Sequence, residues 1–229
     1  MKEATTPLIA QINSILALLE AEYGERHWRS HANPLDELIA TVLSQHTSDI
    51  NTARAFASLK DRFADWDSVL VAPVDLVADA IRCGGLAEQK APRIQGILRA
   101  IQTERQSLDL DQLRSMPLDA ARGWLLRLHG VGPKTAACVL LFSLGRPALP
   151  VDTHVHRVSK RLGLIGPKVS ADAAHSALEA GLGGDRDRVY SFHLTMIAHG
   201  RAVCTARRPY CERCPLTEHC DYFRTTTPS

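Results

Sequence analysis

No stretch of the 229-residue sequence alternates apolar and polar residues long enough for a sustained strand, and no apolar run approaches membrane-spanning length. The first absence argues against a sheet protein and the second against a transmembrane helix. Repeats, low-complexity segments and long linkers are lacking too. Behind Met1 stand Lys2, Glu3 and an amphipathic stretch in place of an apolar signal region, so the expected location is cytoplasmic, with no membrane partner. Charge of one sign is also scarce. The 27 Lys and Arg nearly balance the 25 Asp and Glu, and a formal net charge of +2 does not announce nucleic-acid binding. Any attraction to phosphates must come from a local basic face.

What the chain does have is apolar residues at helical spacing almost throughout. Ile9, Ile12, Leu16 and Leu19 form one such row, Leu35, Leu38, Ile39 and Val42 another, and Ile94, Ile97, Leu98 and Ile101 a third. Asn33 before Pro34 reads as an N-cap with proline at the first helical position, and Pro73 and Pro133 suit helix starts for the same reason. Breaks fall near Gly24, at Thr47-Ser48, at Gly84-Gly85, at Gly130-Val131-Gly132 and at Gly145-Arg146-Pro147. The expectation is an all-α protein of many short helices, built as one large domain or two small ones.

Cys204, Cys211, Cys214 and Cys220 stand in a C-x6-C-x2-C-x5-C pattern. Thiols this close in sequence close small loops at little entropic cost, and a cytosolic-looking chain has no need of a disulfide framework, so a shared metal centre is favoured. Spacing alone leaves structural zinc and a four-iron cluster equally open, since both take four cysteines. Cys83 and Cys138, single in apolar surroundings, read as small buried hydrophobes.

The run Leu128-His129-Gly130-Val131-Gly132-Pro133-Lys134 joins two apolar-periodic segments through glycines one residue apart, the shape of a helix-hairpin-helix. Glycines let backbone N–H groups approach a phosphate, and the following helix offers it a positive end. Lys134 falls in the first turn of that helix, where an added positive charge is disfavoured, so a neutral amine could attack a sugar carbon and hold the product as a Schiff base. Eighteen residues on, Asp152 after Pro150-Val151 reads as an N-cap, a carboxylate held at a helix start and fitted to support developing positive charge. His154 and His156 are two apart on a helix, cannot share a metal, and read as packing or phosphate-proximal residues.

The combination L-x-G-V-G-x-K-T-A, then V-D-T-H-x-x-R-V, then H-G-R-x-x-C followed by the other cysteines resembles the endonuclease III family of helix-hairpin-helix DNA glycosylases, from about Ile9 to Tyr222. The resemblance implies a two-lobed all-α fold with the active site in the cleft. Residues 27–146 would form a six-helix barrel lobe, and 1–26 with 147–229 a cluster lobe. It implies a [4Fe-4S] cluster on Cys204, Cys211, Cys214 and Cys220. It makes Lys134 the nucleophile at C1′ and Asp152 the assisting carboxylate of a bifunctional glycosylase and AP lyase that acts on oxidised or damaged pyrimidines. The partner would be double-stranded DNA with damaged bases or abasic sites, met by a monomer at the nucleoid.

By the same likeness Gln45 fills the gap left by the flipped nucleotide, Leu86 acts as a wedge, and Gly130, Val131, Gly132, Arg207 and Arg208 contact phosphates. Three positions depart from the family pattern. His129 replaces a proline and Pro133 a basic residue, which would weaken phosphate affinity. Gly84 replaces a larger apolar residue, which would leave the wedge loop under-filled. Two rival readings are a monofunctional mismatch glycosylase for adenine or thymine and a non-catalytic cluster protein that senses damage. The first lacks the hairpin lysine and the second needs neither Lys134 nor Asp152.

Overall fold

The computed structural model of the chain describes residues 6–31 and 33–226, and every regular element among them is a helix. In chain order these are α1 (Thr6–Tyr23), α2 (Pro34–Leu43), α3 (Asp49–Arg62), α4 (Trp66–Val71), α5 (Val74–Ile81), α6 (Ala87–Arg105), α7 (Leu118–Leu126), α8 (Pro133–Cys138), α9 (Thr153–Arg161), α10 (Ala171–Leu182), α11 (Arg186–Ala202) and α12 (Asp221–Thr226). The chain forms two compact units. One is Ser30–Leu144, and the other joins the chain up to Arg29 with Gly145 onward.

The Ser30–Leu144 unit is organised around α2. Asn33 caps it by accepting the Leu35 N–H at 2.9 Å, and Pro34 begins it. Leu35, Leu38, Ile39, Val42 and Leu43 are fully buried, because α3, α6, α8 and the π-helical turn Val139–Ser143 all pack on this helix. The α6 row Ile94, Ile97, Leu98 and Ile101 is buried as its spacing predicts. Ser48 caps α3 at the Thr47-Ser48 break, Pro73 stands at the cap of α5, and Pro133 opens α8.

The other unit packs α1 on α11 and α10, and α9 on α11. Ile12, Leu16 and Leu19 are buried, whereas Ile9, the first member of that row, is 39% exposed at the start of α1. Gly200 of α11 sits where a Cβ would come within 3.0 Å of the His154 Cβ and ring, so the glycine of H-G-R is what lets α9 lie this close to α11.

Two expectations are overturned. Cys83 is exposed, because its apolar neighbours in sequence end at Ile81 and the chain has turned into a 3-10 turn, Arg82–Gly84. Gly84 does not leave its loop under-filled. It is buried, and a methyl added there would stand 2.9 Å from the Ala55 Cβ on α3. Helix α3 fills the space that a larger residue would need, so Gly84→Ile must push α3 away. Overpacking of this kind costs about 1–3 kcal/mol. A lower thermal midpoint is therefore expected for Gly84→Ile, and an unchanged midpoint would show that α3 yields freely.

Candidate functional site

The hairpin between α7 and α8 turns at Gly130, whose φ of +87° is left-handed and whose missing Cβ leaves room for the Arg93 side chain. Val131 points inward and is buried, while its N–H bonds the Leu128 carbonyl at 3.0 Å. Gly132 caps α8 in extended conformation, with nothing within 4 Å of where a Cβ would be, so its backbone stays approachable. Lys134 is half-buried in the first turn of α8, as the spacing predicts. A second ionisable group lies within its electrostatic reach. Glu37 of α2 has its carboxyl pushed above the usual range by burial, opposed by a 3.3 Å hydrogen bond from Thr41 Oγ1 and by the Lys134 charge. Sequence reasoning missed Glu37, since an acidic residue in a first helical turn looks like a solvated end charge.

Gln45 is tied to the hairpin. Its amide donates to the Gly130 carbonyl at 3.3 Å and its oxygen accepts from Arg93 at 2.8 Å. His46 beside it is exposed, on left-handed backbone with φ +56°. Leu86 is 46% exposed, also left-handed with φ +53°, at the head of α6. Between these turns lies Lys90, 2% exposed, whose ammonium donates to the Leu43 carbonyl at 2.7 Å and to the Gly84 carbonyl at 3.1 Å. Nothing in the local pattern of α6 distinguishes Lys90 from a solvated lysine.

In the other unit, Asp152 caps α9 by accepting the Val155 N–H at 2.8 Å. The neighbouring histidines are occupied in packing: His156 Nε2 lies 2.8 Å from the Val169 carbonyl, and His154 Nδ1 3.1 Å from Arg157. Arg157 and Arg161, one turn apart on α9, hold the loop after α11. Arg157 bonds the carbonyls of Gly200 at 2.8 Å and Cys204 at 3.1 Å, and Arg161 those of Thr205 at 2.8 Å and Ala206 at 3.0 Å. Arg207 and Arg208, carried on that loop, are exposed.

Cys204, Cys211, Cys214 and Cys220 line one cavity with Arg161, His199 and Tyr222. Donors already face the sulfurs: Arg161 bonds Cys204 Sγ at 3.2 Å, and the Leu216 N–H bonds Cys214 Sγ at 3.4 Å. Burial pushes the Cys214 thiol up to about 11 and raises those of Cys211 and Cys220, a cost to the thiolate form that a bound cation would offset. Among the described residues, no three Cys, His, Asp or Glu side chains converge on a point that could hold one metal ion. Four thiols around a common cavity, with N–H groups on the Cys204 and Cys214 sulfurs, fit an iron–sulfur group.

Residues 39–182 match the HhH-GPD superfamily of base excision DNA repair proteins, and residues 204–220 match the iron-sulfur binding domain of endonuclease III. Endonuclease III of Thermotoga maritima is 35% identical over 211 residues, covering 90% of this chain and 92% of the relative. This chain belongs to the endonuclease III family. It is accordingly a base excision DNA glycosylase with an iron–sulfur binding segment. A solved endonuclease III–DNA complex, trapped as a covalent intermediate, superposes with a TM-score of 0.80 at 31% identity, covering 95% of this chain and 97% of that one. A DNA glycosylase/AP lyase of Arabidopsis thaliana, ROS1, is 33% identical over 174 residues, 69% of this chain but only 12% of the relative. The match to another Arabidopsis thaliana protein, named as a candidate DNA glycosylase, is 47% identical over 136 residues and spans 59% of this chain but under half of that protein, 46%. A thermostable thymine-DNA glycosylase shares the fold, with a TM-score of 0.73 at 22% identity. Among the described residues of this endonuclease III family member, no helix is long and apolar enough to cross a membrane.

The raised Glu37 carboxyl has a consequence for stability. Its ordinary value is 4.5, and the folded protein holds the proton above that pH while the unfolded chain releases it. Native stability contributed by this group therefore falls as pH rises through the window from 4.5 to the raised value. Glu37→Gln removes that dependence. The thermal midpoint of Glu37→Gln relative to wild type should climb from pH 4 to pH 7, and a flat difference would mean that Glu37 is as well solvated folded as unfolded.

Proposed function

We propose that this protein is a bifunctional DNA glycosylase and AP lyase that removes oxidised or damaged pyrimidines from double-stranded DNA. The observation that carries the reading is Lys134, half-buried at the first turn of the hairpin's second helix in a member of this family. The relative named as a glycosylase/AP lyase and the covalently trapped endonuclease III complex support the same chemistry.

The damaged nucleotide is extruded from the stack, at lower cost where the lesion already weakens pairing. Lys134 Nζ, as the neutral amine, attacks C1′ as the bond from C1′ to the base breaks, and the base leaves with that electron pair and takes up a proton. The sugar ring opens to a Schiff base between Lys134 and C1′. Loss of a proton from C2′ then drives β-elimination: the bond from C3′ to its oxygen breaks, the strand is cut 3′ to the lesion, and water releases the lysine. Asp152, held in place at the helix start that it caps, stabilises positive charge on the sugar as the base departs. The exposed Arg207 and Arg208 and the backbone of Gly130 and Gly132 supply phosphate contacts, whereas the Val131 N–H, expected to share in them, is already given to the Leu128 carbonyl. A [4Fe-4S] cluster on Cys204, Cys211, Cys214 and Cys220 would fix the loop that carries the two arginines. The protein works as a monomer and is found with DNA.

Lys134→Gln should abolish borohydride trapping on abasic DNA and strand cleavage, with little loss of DNA affinity, because one charge changes the phosphate attraction slightly. Trapping that survives would assign the nucleophile elsewhere. Asp152→Asn retains a capping side chain but loses the charge, so turnover should drop by about 10²–10³ while the thermal midpoint stays near wild type. Parallel losses of activity and stability would reduce Asp152 to a cap. Iron and acid-labile sulfide should each approach about four per chain, the content of a [4Fe-4S] site. Stoichiometric zinc without visible absorbance would contradict the cluster.

A further inference from the structure

The segment that leads into Asp152 runs outside any helix, yet Ala148, Leu149, Pro150 and Val151 are all buried. Buried peptide groups without a helical partner must be satisfied from elsewhere. Here the partners are side chains of two helices. The Leu149 N–H donates to Glu179 of α10 at 2.8 Å, the Leu149 carbonyl lies 2.8 Å from His175 Nδ1 of the same helix, and the Pro150 carbonyl lies 2.8 Å from His193 Nδ1 of α11. A carbonyl oxygen only accepts, so both imidazoles carry a proton on Nδ1. Pro150 has no N–H, and its carbonyl is therefore the one backbone group by which that residue can be held.

These bonds end two residues before Asp152. The Asp152 carboxylate then accepts the Val155 N–H at 2.8 Å, and its carbonyl accepts the His156 N–H at 2.9 Å. Helix α11 thus bears on Asp152 from both directions, through His193 on the residues before it and through the close approach of Gly200 to His154 on the helix after it. The histidines are 5% and 4% exposed, and Asp152 itself is half-buried. An imidazole Nδ1 stands two bonds from Cβ and moves with only two torsions, so a buried histidine holds its acceptor with less play than a long side chain would.

We propose that His175 and His193 are positioning residues for the glycosylase step: together with Glu179 they clamp Leu149 and Pro150 and so set where the Asp152 carboxylate stands. The proposal rests on the role given to Asp152 above. The clamp touches neither the sugar nor the departing base and acts through Asp152. Its importance follows from the sensitivity of a fixed charge to its place, since a displacement of about 1 Å costs on the order of 100-fold in rate.

The test is a double-mutant cycle on the full chain, read as the single-turnover rate of excising an oxidised pyrimidine from duplex DNA. His193→Leu removes the donor, and His193→Asn returns an N–H two bonds from Cβ. With Asp152 present, His193→Leu should slow excision by about 10- to 100-fold and His193→Asn should recover most of the loss. In the Asp152→Asn background there is no carboxylate charge left to place, so adding His193→Leu should change the rate by less than about twofold. A loss of the same factor in both backgrounds would reduce His193 to a structural residue and overturn the proposal, as would undiminished excision by His193→Leu with Asp152 present. If His193→Leu does not accumulate as folded protein, Glu179→Met, which strips the Leu149 N–H of its partner from a half-buried position, takes its place in the same cycle with the same pattern expected. Excision at the wild-type rate by Asp152→Asn alone would instead overturn the role of Asp152, before the clamp is tested.

Discussion

A helix leaves its first N–H groups and last carbonyls without partners, and where the regular elements among the described residues are all helices these ends are where the candidate functional groups stand. Each end must be satisfied by something other than its own helix. Asp152 does so at the start of α9, Lys90 at the end of α2, and the pair Arg157 and Arg161 along the loop after α11. The groups that complete the backbone are thereby held in fixed places, and fixed polar groups are what a reaction on a sugar and a phosphate chain requires.

The same constraint explains how a chain with a net charge of only +2 can serve a polyanion. Several of its cations are tied up within the fold, Lys90 buried and the others half-buried. Lys90, Arg93, Arg157 and Arg161 are engaged with carbonyls and side-chain oxygens of their own units. They set the conformation of the segments that carry the exposed groups, Leu86 and His46 in one unit and Arg207 and Arg208 in the other. The cysteine loop repeats the pattern. Arg161 reaches both the loop carbonyls and the Cys204 sulfur, so the geometry of the thiols and that of the basic stretch are held by one side chain.

Features that depend on neighbours in sequence are legible in the sequence itself. Asn33 with Pro34, Pro133 at the hairpin and Asp152 at α9 are short-range signals, because a cap bonds two or three residues ahead and proline fixes its own φ. The row from Ile94 to Ile101 was legible through its period. Apart from Cys83, whose exposure follows from a local turn, the misreadings and omissions involve contacts distant in sequence. Gly84 reads as an under-filled loop position, but Ala55 lies against it, and Cys83 reads as buried, but the chain turns after Ile81. Lys90 reaches back 47 residues to Leu43, and no periodicity separates it from a lysine in water. Glu37 passes for a helix-end charge, and its proximity to Lys134 arises only when α8 packs on α2. Gln45 stands out in the sequence by its likeness to the family's gap-filling residue, while its bonds to Gly130 and Arg93 belong to the packed unit.

The central claim is that catalysis passes through a covalent bond to one lysine at the start of α8. Reduction of the protein with borohydride in the presence of abasic DNA, followed by proteolysis and mass mapping of the modified peptide, tests it most directly. The account predicts the sugar remnant on Lys134 Nζ alone. A remnant on any other amine, or no adduct from protein that still cuts the strand, would contradict it.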